Sequence, residues 1–226
     1  MNSMNEEIPL NFSRNAKGVK EIIDKNFDIL DFDGEWQEAF GTPERYGVWM
    51  IWGNSANGKS SFAMQLCKYL CRFGRVAYNS LEEGAGLTMR NTLIRYGMME
   101  VNSRFKLLDN EPMLELSARL KKRRSPDFVV IDSFQYTQMN YRQYIAFKEQ
   151  HRNKLLIFIS HADGTLPNGR SAKSVMYDAS LKIYIEGYRA FSKGRFIGPR
   201  GYFDIWKDGA ERYWGEKEKK NEKHKK

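Results

Sequence analysis

Short apolar runs alternate along the chain with stretches whose apolar residues recur at helical spacing. Runs of strand length lie at residues 46–52 (YGVWMIW), 75–80 (RVAYNS), 104–109 (RFKLLD), 127–132 (DFVVID) and 154–160 (KLLIFIS). Helical spacing is found between them, at 59–73, 86–96, 111–124 and 140–153. Strands that alternate with helices predict an α/β fold, with a mostly parallel central sheet flanked by helices.

The two ends of the chain break this alternation. Residues 1–45 have apolar positions at helical spacing from Val19 onward, which predicts a partly helical N-terminal arm. Residues 180–215 are rich in β-branched and aromatic residues with glycine turns, and we expect an antiparallel β meander there. We therefore predict a core over residues 46–214 and a basic, disordered tail over residues 215–226.

Polar residues with candidate chemistry end several of the predicted strands. Gly53, Ser80, Asp132 and Ser160 all stand at such positions. Right-handed crossovers bring the carboxyl ends of parallel strands to one edge of the sheet, where ligands of open α/β sheets bind. The sequence therefore predicts a site at this edge.

A phosphate-binding loop follows the first predicted strand. Residues 53–60 read GNSANGKS and match G-x-x-x-x-G-K-[ST]. Backbone N–H groups and the start of the next helix would surround the phosphates, while Lys59 would reach the β- and γ-phosphates and Ser60 would ligate Mg²⁺. We predict ATP and Mg²⁺ as cofactors, with nucleotide-binding residues Gly53, Asn54, Ser55, Ala56, Asn57, Gly58, Lys59, Ser60 and Ser61.

Carboxylates follow two other predicted strands. Asp132 ends a buried strand, where a second Mg²⁺ contact is one interpretation and an ordinary strand-end cap is the other. Glu82 and Glu83 follow the second strand, where one carboxylate could polarise an attacking water or both could serve as acids at a helix N-terminus. The residues alone leave these alternatives open.

Four ordered motifs resemble the RecA-like ATPase superfamily, in the branch of DnaB-type helicases and of RadA-like and KaiC-like ATPases. They are the phosphate loop, S-L-E at 80–82, I-D-S-F-Q at 131–135 and K-G-R-F at 193–196. The resemblance covers about residues 46–214, and it departs from the RadA-like K-N-R-F-G pattern because the glycine stands at Gly198. It implies a RecA-like fold.

The resemblance also implies roles for single residues. Glu82 is implied as the catalytic base, with Glu83 as its neighbour, and Gln135 as the sensor of the γ-phosphate. Lys193 and Arg195 are implied as cations that reach the ATP of the next subunit of a ring or filament; the alternative is a basic hairpin turn on the surface. A homo-oligomer is therefore expected.

Two DNA-facing segments are implied at 136–144 (YTQMNYRQY) and 161–173 (HADGTLPNGRSAK). We predict DNA contacts, preferably to a single strand, from Arg142, Arg170 and Lys173. The tyrosines of the first segment, Tyr136, Tyr141 and Tyr144, are interpreted as core residues, with stacking of bases on their rings as the alternative. The second segment is expected to be a loop over residues 161–172, and His161 has the alternative of lying near the phosphates as a second sensor.

Composition adds limited information. The net charge of +9 suits a polyanionic partner, although the tail supplies part of it. The sequence has no run of eighteen apolar residues and no apolar signal segment, and its Cys67 and Cys71 are too few for a disulfide framework. No membrane association is expected, and a cytoplasmic location is predicted by elimination.

These observations predict an ATPase whose active site lies between subunits and which acts on DNA in replication or recombination. The 45 residues before the core are too few for the extra N-terminal domain of a DnaB-type helicase, which places autonomous helicase activity in question. The main alternative is a KaiC-like regulatory ATP switch that binds protein partners without nucleic acid. A small-molecule kinase and a non-catalytic helicase loader are further alternatives.

Overall fold

The computed structural model describes residues 16–223. The helices are α1 (Val19–Ile23), α2 (Gly34–Phe40), α3 (Lys59–Leu70), α4 (Leu87–Arg95), α5 (Met113–Leu120), α6 (Tyr141–Gln150), α7 (Arg170–Asp178) and α8 (Lys207–Lys223). The strands are β1 (Gly47–Gly53), β2 (Val76–Ser80), β3 (Phe105–Asp109), β4 (Phe128–Asp132), β5 (Leu155–Asp163), β6 (Leu166–Pro167), β7 (Leu181–Glu186), β8 (Arg189–Ser192) and β9 (Tyr202–Asp204). Short 3-10 helices lie at Met98–Val101 and Phe134–Thr137.

The central sheet has the strand order β3-β2-β4-β5-β1-β7-β8-β9. The pairs from β3 through β7 are parallel, whereas β8 and β9 continue the sheet in antiparallel pairing. This confirms the predicted α/β fold with a mostly parallel sheet and an antiparallel C-terminal region. The carboxyl ends of the parallel strands share one edge, as the alternation of strands and helices predicted.

Each face of the sheet carries its own hydrophobic core. Along β1, Trp49 and Ile51 pack into the core under α3, while Met50 and Trp52 pack into the core under α5, α6 and α7. A strand covered on both faces needs apolar side chains at successive positions, because alternate side chains point to opposite faces. This explains the unbroken apolar run at 48–52.

The segment before β1 packs into the core under α3. Phe32 is buried, and the ring of Trp36 stacks on Tyr69 and on Phe203, with centroid distances of 4.7 and 4.4 Å. Asp33 pairs with Arg72, whose guanidinium holds the pKa of this carboxyl down at about 2. Residues 30–40 of the predicted N-terminal arm thus form part of the same hydrophobic core.

The C-terminal region differs from the prediction. The meander ends with β9, and residues 207–223, expected as the last part of the meander and a disordered tail, form α8. Ala210 is fully buried, and Glu186 on β7 accepts hydrogen bonds from Tyr213 and Lys217. The sequence interpretation counted the Lys and Glu residues as a solvated tail and missed that these contacts hold a helix against the sheet.

The expected loop at 161–172 also differs from the prediction. Strand β5 continues to Asp163 and turns back to pair with β6, and α7 begins at Arg170 after Gly169, whose φ is +89°. The glycines of this segment were interpreted as parts of an extended loop. In the structure they lie in a hairpin turn and at the start of a helix. Helix α2 lies within the arm that was predicted to be partly helical, although the sequence did not give its bounds. Within residues 16–223, no helix has the length and apolar character needed to cross a membrane.

The packing of the N-terminal segment generates a stability prediction. Replacing Phe32 with Ala should lower the free energy of unfolding by about 3–5 kcal/mol, because it leaves a cavity beneath α3. Val19→Ala is the control, since Val19 is 77% exposed and its truncation should change stability by less than about 0.5 kcal/mol. Urea unfolding followed by tryptophan fluorescence measures both, and equal midpoints for the two variants would contradict the packing role.

Candidate functional site

The predicted phosphate loop connects β1 to α3 at the carboxyl edge of the sheet. A Cβ atom at Gly53 would overlap the carbonyl oxygen of Ile185 on β7, so the first position of the loop requires glycine. Ala56 and Gly58 have φ values of +61° and +99°, which turn the backbone between them into a tight loop. Asn57 Oδ1 accepts a hydrogen bond of 2.8 Å from the N–H of Gly187, which ties the loop to the β7–β8 turn.

Helix α3 begins at Lys59, so its unpaired N–H groups and positive dipole end point to the loop. The ammonium of Lys59 donates to the carbonyl oxygen of Asn54 at 3.0 Å. Burial lowers the pKa of this ammonium, while the charges of Asp132 and Glu82 raise it. Lys59 therefore stands among the carboxylates that follow other strands.

These elements enclose a pocket of about 310 Å³. Its lining combines the loop with groups from the ends of β2, β4 and β5: Ser55, Ala56, Lys59, Ser60, Glu82, Glu83, Asp132 and His161. The geometry thus gathers Lys59, Ser60, Glu82 and Asp132, which were predicted for one site from distant parts of the sequence. Asn54 and Ser61 flank the lining residues in the chain.

Asp132 brings a carboxyl group from the end of β4 into the pocket. Burial raises the pKa of its carboxyl to about 6, against the lowering effect of a hydrogen bond donated by the Tyr78 hydroxyl. A cation would relieve this desolvation. The Ser60 hydroxyl and the Asp132 carboxylate are hard oxygen ligands of the kind that Mg²⁺ prefers, and they line one pocket with Glu82 and Glu83, so the residues fit this ion.

Glu82 reaches the pocket although β2 is not adjacent to β1. Strands β4 and β5 lie between them, and the N–H of Glu82 donates to the carbonyl oxygen of Asp132 at 3.2 Å, which turns the chain across the end of β4. The Glu82 Oε2 atom lies 3.3 Å from His161 Nε2. Glu83 lines the same pocket but has no such partner among the described residues.

Gln135 links the ends of neighbouring strands beside the loop. Its Nε2 donates to Ser160 Oγ at 2.7 Å and to the carbonyl oxygen of Asn168 at 2.9 Å. Its Oε1 accepts from the N–H of His161, and His161 pairs in register with Gly53. This arrangement couples β4, β5 and the β6 hairpin at the site, and it places His161 by the phosphate loop, as one of its two interpretations expected.

Lys193 and Arg195 lie at the opposite edge of the sheet. The N–H of Arg195 donates to the carbonyl oxygen of Ser180, which itself lies beside Val48 near the start of β1. From Val48 to the phosphate loop at Gly53 the strand extends roughly 16 Å. Both side chains are exposed, and Lys193 lies 5.1 Å from the ring centre of Tyr184. Neither residue lines the pocket at the phosphate loop.

The predicted DNA-contacting residues lie on helices. Arg142 is exposed in the first turn of α6, Arg170 is exposed at the start of α7, and Lys173 is half-buried one turn later. None of them has a carboxylate within 4 Å in the part of the chain that the structure describes. Tyr144 is buried and donates to Asp178, so it is a core residue, whereas Tyr136 and Tyr141 are exposed.

Some site residues escaped the sequence interpretation. Tyr78 holds Asp132 by a hydrogen bond, but an aromatic residue in a buried strand looks like any core residue. Asn168 and Gly187 bond to Gln135 and Asn57 through backbone groups only. Contacts of backbone groups cannot be predicted from the residue type. The S-L-E motif identified Glu82 as a candidate site residue. The distance in sequence between Glu82 and His161 gave no indication that their side chains are in contact.

Comparison with known proteins gives a likeness in structure only. No protein-family model matches the chain, and no curated protein matches it in sequence. The crystal structure of the flagellar accessory protein FlaH from Methanocaldococcus jannaschii is similar with a TM-score of 0.54, over 79% of this chain and 92% of that chain, at 14% identity. At this identity the likeness shows the fold alone, which together with the strand order is a RecA-like α/β fold.

The geometry of the loop generates a binding prediction. Lys59→Ala should weaken binding of a fluorescent ATP analogue by about 100-fold, because it removes the ammonium that would pair with the phosphates. Lys68→Ala is the matched control on the same helix, where Lys68 bonds Tyr96 and Glu100 away from the loop. Fluorescence titration measures the affinity of both variants for the analogue. Equal affinities would show that Lys59 does not contribute to nucleotide binding.

Proposed function

We propose that the chain is an ATPase whose active sites form between subunits of a ring or filament and which acts on single-stranded DNA. The observation that carries the proposal is the pocket at the carboxyl edge. This pocket contains the phosphate loop, whose first position requires glycine, and the N-terminus of α3 with Lys59. The carboxylates of Asp132 and Glu82 line the same pocket. Binding of a phosphate chain and supply of a base are the functions that this combination suits best.

Each group then has a definite task. The loop N–H groups and Lys59 would hold the β- and γ-phosphates, and Ser60 and Asp132 would hold Mg²⁺, which would supply positive charge beside the phosphate oxygens. Glu82 takes a proton from the attacking water, and its contact with His161 supports this orientation of the carboxylate. Gln135 bonds three neighbouring segments, so a shift of its amide toward the γ-phosphate would move the β6 hairpin.

The position of Lys193 and Arg195 supports a shared active site. They are exposed at the edge opposite to the phosphate loop, so they can serve only the pocket of another subunit. A head-to-tail contact that repeats around a ring or along a filament brings one edge of each subunit to the other edge of the next. Hydrolysis then requires assembly, since the cation arrives in trans.

The surface around α6 and α7 suits a single strand. Arg142 and Arg170 are exposed without a carboxylate partner in the described residues, and Tyr136 and Tyr141 offer exposed rings. Cations that follow the backbone and rings on which bases stack are the two components of single-strand binding. Both helices follow strands whose ends border the ATP pocket, so DNA and γ-phosphate can influence each other.

A regulatory ATP switch that binds a protein partner is the second candidate. The fold neighbour is described as a flagellar accessory protein. In addition, Leu87, Ile94 and Met99 expose at least 65% of their surface along and just after α4, which offers an apolar contact area near Glu82. In this second candidate function, the pocket has the same chemistry, and the binding partner is a protein and not DNA.

Turnover at several protein concentrations distinguishes the two candidates. We expect ATP hydrolysis per subunit to rise with protein concentration and to increase further when single-stranded DNA is added, since assembly completes the site and DNA contacts α6 and α7. A phosphate-release assay measures both effects. A turnover per subunit that rises with protein concentration but does not change when DNA is added would favour the protein-binding switch.

Mixing two inactive variants tests the shared site. Lys59→Ala lacks a competent loop, and Arg195→Ala should lower turnover by about 10³-fold while it still binds ATP. Mixed in equal amounts, they should recover about a quarter of wild-type turnover, because randomly assorted subunits pair an intact loop with an intact Arg195 at some contacts. The double variant Lys59→Ala/Arg195→Ala is the control, since mixing it with Arg195→Ala offers no intact Arg195. No recovery in the first mixture would contradict the role in trans.

A further inference from the structure

A concentration of cations lies at the amino edge of the parallel strands, opposite to the phosphate loop. Arg75 directly precedes β2, Arg104 precedes β3 and Lys154 precedes β5, while a K-K-R-R turn at 121–124 connects α5 to β4. Because these strands are parallel, their amino ends meet at one edge of the sheet. The cations come from separate parts of the sequence, and the fold gathers them there.

The gathered cations line two adjoining cavities of about 340 and 460 Å³. The cavities share Arg75, Lys122, Arg124 and Ser125. We define the basic cleft by the cations that line the two cavities: Arg75, Arg104, Lys106, Arg119, Lys121, Lys122, Arg123, Arg124 and Lys154. The shared residues make it one continuous surface.

Negative charge is scarce in the basic cleft. Asp127 is the sole carboxylate that lines either cavity, counted over the residues described. Arg119 is bonded to Glu111, and within residues 16–223 the other cleft cations have no carboxylate within 4 Å. Burial lowers the pKa of His151 in the cleft, and the charges of Lys121 and Lys154 lower it further. The nine cations of the basic cleft therefore outnumber the single carboxylate among its described lining residues, which leaves an excess of positive charge.

The turn at 121–124 is a defined structure. Arg124 adopts a φ of +63°, a conformation that is unfavourable for a residue with a side chain. Ser125 holds the turn, because its hydroxyl donates to the carbonyl oxygen of Leu120 at 2.8 Å and accepts from the ammonium of Lys154 at 2.9 Å. An arrangement that fixes neighbouring like charges in place favours an anionic ligand that bridges them.

The residue types that line the basic cleft indicate which kind of anion it can bind. No aromatic ring from the described residues lines either cavity apart from the imidazole of His151, which is itself buried, so the cleft has no platform on which unpaired bases could stack. The apolar residues of the lining are buried except for the half-buried Pro126, so no side chain is available to insert into a membrane. Two continuous cavities also exceed what one small phosphate ion would occupy.

We propose that the basic cleft binds the phosphate backbone of a nucleic-acid duplex. Contacts to phosphates need cations alone and no base-reading groups, which is what the cleft offers. The cleft lies at the opposite edge from the first turns of α6 and α7, where the exposed Tyr136 and Tyr141 suit a single strand. The two surfaces would therefore hold different nucleic-acid states, and the cleft proposal rests on neither ATP hydrolysis nor the single-strand surface.

The salt dependence of duplex binding tests this proposal. Binding of the full chain to a fluorescein-labelled DNA duplex is followed by anisotropy at several KCl concentrations, without nucleotide. The variant Lys122→Ala/Arg123→Ala/Arg124→Gly should bind at least tenfold more weakly, and its log–log salt slope should be smaller by about 2 to 3, since each lost phosphate contact removes about 0.9. Glycine at position 124 accepts the positive φ, so the turn can keep its shape.

A matched control removes the same charge elsewhere. Lys17→Ala/Lys20→Ala/Lys25→Ala deletes three exposed cations around α1 and should keep the wild-type salt slope. Lys106→Glu changes an exposed residue of the cleft on β3 and should also weaken duplex binding, which guards against a folding defect of the turn variant.

Three results would overturn the proposal. The first is equal weakening by the cleft variant and the α1 control. The second is tight binding to phosphatidylserine vesicles with no binding to the duplex. The third is tighter binding to the single-stranded form of the same DNA, with Arg142→Ala/Arg170→Ala/Lys173→Ala reducing it and the cleft variant not. That third result would leave the proposed single-strand surface standing.

Discussion

The close approach of β1 and β7 at Gly53 is the constraint on which the site depends. Strand β1 is buried between β5 and β7 and covered on both faces, so its end cannot shift without disturbing both cores. At Gly53 the backbones are so near that no Cβ fits beside Ile185. The bond from Gly187 to Asn57 then holds the loop against the same strand pair. A rigid strand end therefore fixes where the helix N-terminus and Lys59 point.

A second constraint is the charge balance around that loop. Asp132, Glu82 and Glu83 face a single ammonium in the pocket, and burial raises the pKa of Asp132 even though Tyr78 donates a hydrogen bond to it. A phosphate chain would add negative charge to an already acidic pocket. A divalent cation that the Ser60 hydroxyl and Asp132 could ligate would offset this charge. The acidity of the pocket thus supports a metal–nucleotide complex over a free anion.

The sequence predicted those features that local patterns determine. The apolar runs located β1 to β5, and the loop motif located the start of α3, because burial on both faces and a glycine-rich turn leave direct traces in residue type. Helix α8 was missed because its contacts to Glu186 on β7 come from far away in sequence. The start of α7 was missed because Gly169 was interpreted as part of a loop. Tyr78 was missed for the same reason as α8, since its partner Asp132 lies on another strand.

The two edges of the sheet carry different sets of charged residues. The carboxyl edge combines carboxylates with Lys59, whereas the amino edge carries the basic cleft, and Lys193 and Arg195 also lie away from the pocket at the phosphate loop. The head-to-tail assembly proposed above brings the amino edge of one copy against the carboxyl edge of the next. Such stacking would bring Lys193 and Arg195 to the pocket that lacks them. The cleft cations lie along the strand edge from β3 to β5, while Lys193 and Arg195 flank β7, so subunit contact and duplex contact can occupy separate parts of one edge.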